Sequence, residues 1–466
     1  MVKRRVKIRP ILVTLNIIVL LLIVGFYSYR LVKYYLEENG DSDVESGEVL
    51  LVDAVLKKQK FVDLTEGLVF NEADKVYRFI GDVNDNYIEF SGNLYRIIEI
   101  DESKNVKAVS EKSVTNIYAN LGNGFAKSYI NKWLNGTDDA NSGVYEKNLY
   151  GTELLFNTTM CDDVIDDVTN ITCKEKSSDY KIGLLSLYDY AKSGGKSGYL
   201  NNGENFYLNT LNSEKKYYYI THDGEVSNGE LTTKSYGVRP VITFSGDVIL
   251  LKGKGTLEEP FVVESHDINT IKDLYVGNIV EFSDNKFVVL DITGDNVKVA
   301  ATETLKDSEG NEITRAFGGS SSAYSDSKNT IGNYLNNDYY KSLKNNDLIV
   351  KSDWYIGKLS LDNLDYARVK SSKVSLNIGM LTLGDMFVSD VTNTLTILRG
   401  IEENKIVYVI NKEGNFYGDF VSKKYGIRPA FYLKGDTVIS EGKGTLEEPY
   451  KLGVKNEEES KEDKGE

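Results

Sequence analysis

At 466 residues the chain exceeds the size at which one hydrophobic core stops growing, so two or three domains are expected. Asp and Glu outnumber Lys and Arg by 70 to 55, and the resulting net charge of −15 repels phosphate backbones, which disfavours nucleic acid as a partner. The 32 tyrosines suit strand-rich folds and exposed recognition surfaces alike.

Residues 1–9 form a basic stretch containing Lys3, Arg4, Arg5, Lys7 and Arg9. Residues 10–29 follow with PILVTLNIIVLLLIVGFYSY, a run without charge and long enough as a helix to cross roughly 30 Å of hydrocarbon. The positive-inside bias places residues 1–9 in the cytoplasm and the bulk of the chain outside a single-pass cell-membrane anchor. A cleaved signal peptide would need small residues before its cleavage site, where this chain has Phe26, Tyr27 and Tyr29. Residues 30–74 read as a stalk or linker: GDSDVESGE is polar and acidic, while EVLLVDAVL and KFVDLTEGLVF suggest strands or a short packing arm. The acidic tail 454–466 has the composition of a disordered segment.

Between stalk and tail the chain reads as two copies of one unit, 75–263 and 270–453. YIEFSGNLYRIIEID (87–101) matches IVEFSDNKFVVLDIT (279–293), and each is a hairpin signal with a turn at Ser-Gly-Asn or Ser-Asp-Asn. A third strand follows in each, NVKAV from 105 and NVKVA from 296. Next, AKSYINKWLNG puts Ala126, Tyr129, Ile130, Trp133 and Leu134 on one helical face, and TIGNYLNNDYYKSL does so with Ile331, Tyr334 and Leu335. Trp133 and Tyr334 are expected to pack against the sheet. IGLLSLYDYAKSG from 182 pairs with IGKLSLDNLDYARV from 356, with Ser186 or Ser360 capping a short helix, and YLNNG at 199 pairs with SLNIG at 375. Two further hairpins follow, YYYITHDGEV and IVYVINKEGNF. An insertion specific to the first copy, about residues 145–180, holds Cys161 and Cys173, which in an exported chain are candidates for a disulfide.

Both copies close on one motif. YGVRPVITFSGDVILLKGKGTLEEP (236–260) and YGIRPAFYLKGDTVISEGKGTLEEP (425–449) agree at 14 of 25 positions. Gly237 and Gly426 suggest a bulge or close backbone approach, and Pro240 and Pro429 mark a strand end. Arg239 and Arg428 sit in apolar strands, so each is either exposed or buried with a carboxylate partner, and their matched placement favours a structural role, one guanidinium fork bridging several interior acceptors. The following GKGTLEEP lacks the Lys-Ser/Thr and helix of a phosphate loop.

The order NLYRIIEID, WLN, IGLLSLYDYA, YLNNG, DGEV, YGVRPVI, GKGTLEEPF resembles an uncharacterised domain family of surface proteins in low-GC Gram-positive bacteria, whose units end in Gly-Val-Arg-Pro. More remotely, the Gly-x-Arg strand resembles the formylglycine-generating-enzyme branch of the C-type-lectin-like superfold. That resemblance implies a compact α+β unit with a small twisted antiparallel sheet. The expected fold class is therefore α+β: a transmembrane helix, then two tandem small α+β domains.

The chemistry of that enzyme branch needs paired redox cysteines in the groove, and here the second copy has none. The two histidines, His222 in a THDG turn and His266 between the copies, do not make a triad or a zinc set. The acidic CDDVIDDVTN lacks the spacing of a calcium loop. No catalytic, metal or cofactor residue is assigned. The expected function is non-catalytic recognition of a glycan or surface protein through tandem units, whose duplicated sites raise avidity. Tyr217, Tyr219 and His222 are the candidate ligand contacts. A structural envelope scaffold is the alternative, and a glycan-active enzyme a further one.

Overall fold

The computed structural model describes residues 48–453, except 62–63, 118–123, 137–143, 230–235, 320–322, 356–372, 383–384, 386–395, 399–404 and 412–415. The expected span at 10–29, the tail 454–466 and Ser360 lie outside the described residues. Among the described residues no helix is long and apolar enough to cross a membrane. The chain divides into units 1–48 and 49–466, and the second carries every described helix and strand. It is strand-dominated with few short helices, which fits an α+β or all-β class.

Two copies of one arrangement are present. In the first, Tyr87–Phe90, Asn93–Ile100, Val106–Ser110 and Pro240–Phe244 pair antiparallel in that order. In the second, Ile279–Phe282, Asn285–Asp291, Asn296–Ala301 and Pro429–Lys434 do the same. The opening hairpins turn on Ser91-Gly92 and Ser283-Asp284, each with positive φ at both positions, the geometry that matches strand twist in two-residue turns. The register of the second strand against the third slips at matching places, between Ile97 and Glu99 and between Val289 and Asp291, so even this bulge is duplicated. A smaller five-stranded sheet accompanies each core sheet. In the first it runs Val226–Gly229, Tyr217–Ile220, Phe206–Leu211, Tyr236–Val238, Thr115–Ile117; in the second Phe416–Phe420, Ile406–Ile410, Thr396–Leu398, Lys424–Gly426, Thr314–Ala316.

The helices fill the space over the core sheets. Ser128 caps Tyr129–Asn135 by accepting the amide of Asn131, and Tyr129, Ile130, Trp133 and Leu134 are buried. Thr330 caps Ile331–Asn333 the same way, and the helix continues to Ser342 through a widened turn at Tyr334–Tyr339. Leu335 is buried, but Tyr334 is only half-buried, with the Arg315 guanidinium 3.8 Å above its ring. It packs against the core as expected, and its outer face carries the cation stack as well.

Four expectations are revised. The stalk expected over 30–74 ends before residue 49. Leu51–Leu56 is a helix that buries Leu51, Val52 and Val55, and Gly67–Asn71 and Val76–Ile80 extend the first core sheet. The first copy therefore starts earlier than expected, and both copies open with a short helical turn tied to their own closing segment: Leu51 N donates to Val248 O, and Ile271 N to Thr437 O, both at 2.8 Å.

The counterpart of 182–190 is not the string at 356. Gly183 and Leu184 pair with Val241 and Pro240, while Gly379 and Met380 pair with Ala430 and Pro429, so IGLLSLYD corresponds to IGMLTLGD at 378–385. The pairing of 199 with 375 fails with it, because Ser375 and Leu376 lie in the hairpin Ser352–Tyr355/Lys373–Leu376.

That hairpin also revises the insertion. It occupies the interval in which the first copy pairs Met160–Cys161 with Lys176–Ser177, so the loop has a counterpart without cysteines. Cys161 and Cys173 form the disulfide, with Cα atoms 5.5 Å apart.

Candidate functional site

Each copy is held by the same polar skeleton. Arg239 is fully buried; its Nε donates to Ser110 O at 2.9 Å, its Nη1 to Leu200 O at 2.6 Å, and its guanidinium lies 4.7 Å from the Phe206 ring centroid. Arg428 Nε donates to the corresponding carbonyl, Ala301 O, at 2.9 Å. The expected carboxylate partner of Arg239 is replaced by main-chain carbonyls, since the strand ends around it leave acceptors facing inward. Burial pulls both guanidinium pKa values down to about 10; for Arg239 the fields of Glu111 and Glu204 oppose the fall. Gly237 is required by close approach, because a Cβ there would sit 1.9 Å from Ser113 Oγ. Pro240 and Pro429 each open a strand, where a missing donor costs least. Gly426 is buried beside Arg428 in the Lys424–Gly426 strand and pairs with Thr314.

A second shared element is a buried ion pair. Ser186 and Asp189 cap the helix Leu187–Lys192 reciprocally, and Asp189 Oδ2 also receives Lys107 Nζ at 3.0 Å. In the second copy Asp385 binds Thr382 in the same pattern and receives Lys298. The first copy adds Arg78, which pairs with Asp189 at 3.3 Å and with Glu99, giving two cations against two carboxylates. Burial alone would raise the Asp189 carboxyl, but Lys107 and Arg78 hold it well below the usual carboxylate range. A third element is an amide clamp. Asn135 donates to Ile182 O at 2.7 Å and accepts Ile182 N at 3.0 Å; Asn336 makes both bonds to Ile378, at 2.9 Å each. These groups face inward and are held by one another or by main chain, although Arg78 Nε and Arg239 Nη2 have no hydrogen-bond partner, so they are framework.

The candidate ligand contacts do not converge. Tyr217 is a core residue at 2% exposure. Tyr219 is half-buried, its ring stacked on Tyr236 at 4.4 Å. His222 is exposed in its turn beside Asp223, at 3.2 Å. Adjacent Tyr217 and Tyr218 are both buried, so the strand is covered on both faces there and period-2 alternation gave no signal of which tyrosine stays accessible. Among the described residues no group of three or more metal-ligating side chains occurs.

What sequence reading missed is a cleft of 1380 Å³ between the copies. One wall carries the turn 91–94 and residues 110–114 of the first copy; the other carries 284–288 and 301–306 of the second, the corresponding segments. A packed junction adjoins the cleft, sharing Ser91 and Asn148 with its lining. Tyr150 stacks on His266 at 3.9 Å and donates to Lys272 O at 2.8 Å. Tyr275 lies edge-on to Tyr150 and donates to Glu264 Oε1 at 2.9 Å, while Glu264 Oε2 accepts Ser91 N at 2.8 Å. Asn148 Oδ1 accepts Ile292 N at 3.2 Å, and Lys147 lies 3.8 Å from Asp291. Burial, with Asp273 and Glu264 nearby, pushes the Tyr150 hydroxyl up to about 12, so it stays a donor at ordinary pH. His266 is thus a junction residue, stacked on Tyr150 with Nε2 2.7 Å from Asp273 O.

Comparison of the chain with known protein families, characterised proteins and solved structures returned no match.

Proposed function

We propose that the chain is a membrane-anchored, extracellular recognition protein that holds its ligand between the two copies. The observation that carries this reading is the cleft whose walls are corresponding segments of both copies, set on a junction of direct bonds rather than a loose linker. A fixed junction preorganises the two walls and lowers the entropic cost of capture. The anchor expected at 10–29 would present this cleft outside the cell, on two tandem α+β units. The inward-facing carboxylates, lysines and arginines are paired with one another or with main chain, which favours binding over catalysis.

The test uses Thr302→Trp, which fills the cleft from its second wall, and His222→Ala, outside it. The full chain in detergent micelles is presented to arrays of glycans and of surface-protein fragments. Binding lost in Thr302→Trp and retained in His222→Ala is the expected result. Binding that follows His222 and ignores Thr302 refutes the cleft reading, as does chemical turnover of the bound material.

A further inference from the structure

The two copies meet different surroundings at the face where the chain enters them. The loop that ends each closing motif is fixed to the opening strand of its own copy: Tyr87 N donates to Gly255 O and Ile279 N to Gly444 O, both at 2.8 Å. In the second copy this loop lines the cleft beside the first, through Gly444, Thr445 and Leu446. In the first copy no repeat precedes the loop along the chain, and Leu257, the counterpart of Leu446, is 55% exposed.

The segment that opens the first copy lies at the same edge. Lys58 reaches Asp85, two residues before the opening strand, at 3.1 Å, and its Nζ stands 5.6 Å from the Phe261 ring centroid. Phe61 and Leu64 follow it and are 52% and 57% exposed. Leu251, whose amide donates to Val262 O at 2.8 Å beside Phe261, is 51% exposed. A terminal repeat that faces water carries a polar outer surface, so this collection of large apolar side chains marks an edge that something covers. The second copy has the water-facing version: Ser440 and Glu441 replace Leu251 and Lys252, both exposed, with Glu441 held by Lys451 at 2.6 Å.

Two observations choose what covers it. The exposed cations Lys57, Lys60 and Lys252 stand among the exposed acids Asp53, Glu66 and Glu258, so charge selects no strongly anionic or cationic partner and the apolar side chains decide. Along the chain, the element that precedes this face is the apolar run expected to span the membrane at 10–29. Residues 30–47 separate the two by at most roughly 65 Å when fully extended. A tether of that reach keeps the face at high effective concentration beside lipid, so even a weak apolar contact is populated there.

We infer that the entry face of the first copy rests on the bilayer surface, with Phe61, Leu64, Leu251 and Leu257 entering the headgroup layer. The placement rests on the membrane-anchored reading. Lysine stems lie along apolar surface while their ammonium groups stay at phosphate depth, which suits Lys57, Lys60 and Lys252. A few inserted side chains bind weakly by themselves, and the anchor makes the contact intramolecular.

The test reconstitutes the full chain in phosphatidylcholine vesicles whose acyl chains are brominated or plain, and reads tryptophan emission. Leu257→Trp and Leu64→Trp place the probe at the face; Leu446→Trp places it at the matched position of the second copy. Trp133 and Trp354, 1% and 2% exposed among the core side chains, give the same background in every sample. Bromine is expected to quench the probes at 257 and 64 and to spare the one at 446. Leu251→Ser with Lys252→Glu, which installs the second copy's residues, is expected to reduce the loss at 257. Equal quenching at 257 and 446 in chains that float with the vesicles overturns the inference alone. A probe at 257 shielded from aqueous iodide yet untouched by bromine also overturns it, and assigns the face to a second protein molecule. If the parent chain does not float with the vesicles, the anchored reading falls and the inference with it.

Discussion

Asn135 and Asn336 allow the duplicated skeleton to be tested with one side chain at a time. Each amide bonds both the N–H and the C=O of one buried strand residue, Ile182 or Ile378, each 0% exposed. Asn→Leu at either position keeps the branched shape and removes both bonds, leaving a buried donor and a buried acceptor. At about 1–3 kcal/mol per unsatisfied group, and allowing for partial rearrangement, the loss is about 3 kcal/mol. For a repeat of this size that corresponds to a drop of roughly 6–12 °C in its melting midpoint. Asn→Asp retains acceptance of the isoleucine N–H and loses donation to its C=O, so it should fall between parent and Leu. The assay is calorimetry of the full chain in detergent, where each single variant should shift one transition. Similar shifts from Asn135→Leu and Asn336→Leu are expected because the geometry is shared. An unchanged or raised midpoint for both Leu variants would refute the framework role of the clamp.

The depressed Asp189 carboxyl makes a pH prediction. A carboxylate with a lowered folded-state pKa contributes stability above its unfolded value, near pH 4, and loses it as pH falls below that value. Asp189→Asn should therefore start less stable and show a flatter acid limb in denaturant titrations; an equally steep limb contradicts the ion-pair account. Removing the disulfide with Cys161→Ser and Cys173→Ser, a separation of 12 residues, should lower the first repeat's stability by about 2–3 kcal/mol. The second repeat's transition should not move, and a matching shift there would show that the two unfold as one.

Local patterns carried much of the fold. The Ser-Gly-Asn and Ser-Asp-Asn turns, the helix-capping Ser186 and the closing Gly-x-Arg-Pro strands are short-range signals, and the structure places all of them in hairpins, caps and strand starts. The pairing of 182 with 356 failed because the string IGKLS at 356 looks closer to IGLLS than IGMLT does, while strand register selects Ile378. Drifting loop lengths hid that register. Asn135 was legible in hindsight: WLN and YLN both precede the loop at the same helical position, yet an asparagine's role depends on a strand 47 residues away. The carbonyl partners of Arg239 were beyond reach for the same reason, lying 129 and 39 residues away. The cleft belongs to neither copy alone, so no pattern within one copy announces it.

The closing segments also decide how the chain carries load. Where each repeat is entered and where it is left are adjacent: Val49 O accepts Leu250 N at 2.8 Å, and Asn269 O accepts Ile439 N at 2.9 Å. If the chain is tethered at one end and pulled through a captured partner, tension reaches these few main-chain bonds before the hydrophobic interior. The interiors sit behind them, bypassed by the line of force, so the first thing to yield under pull is a short seam at each repeat's edge. Such a seam can open and rejoin while the two sheets behind it stay packed.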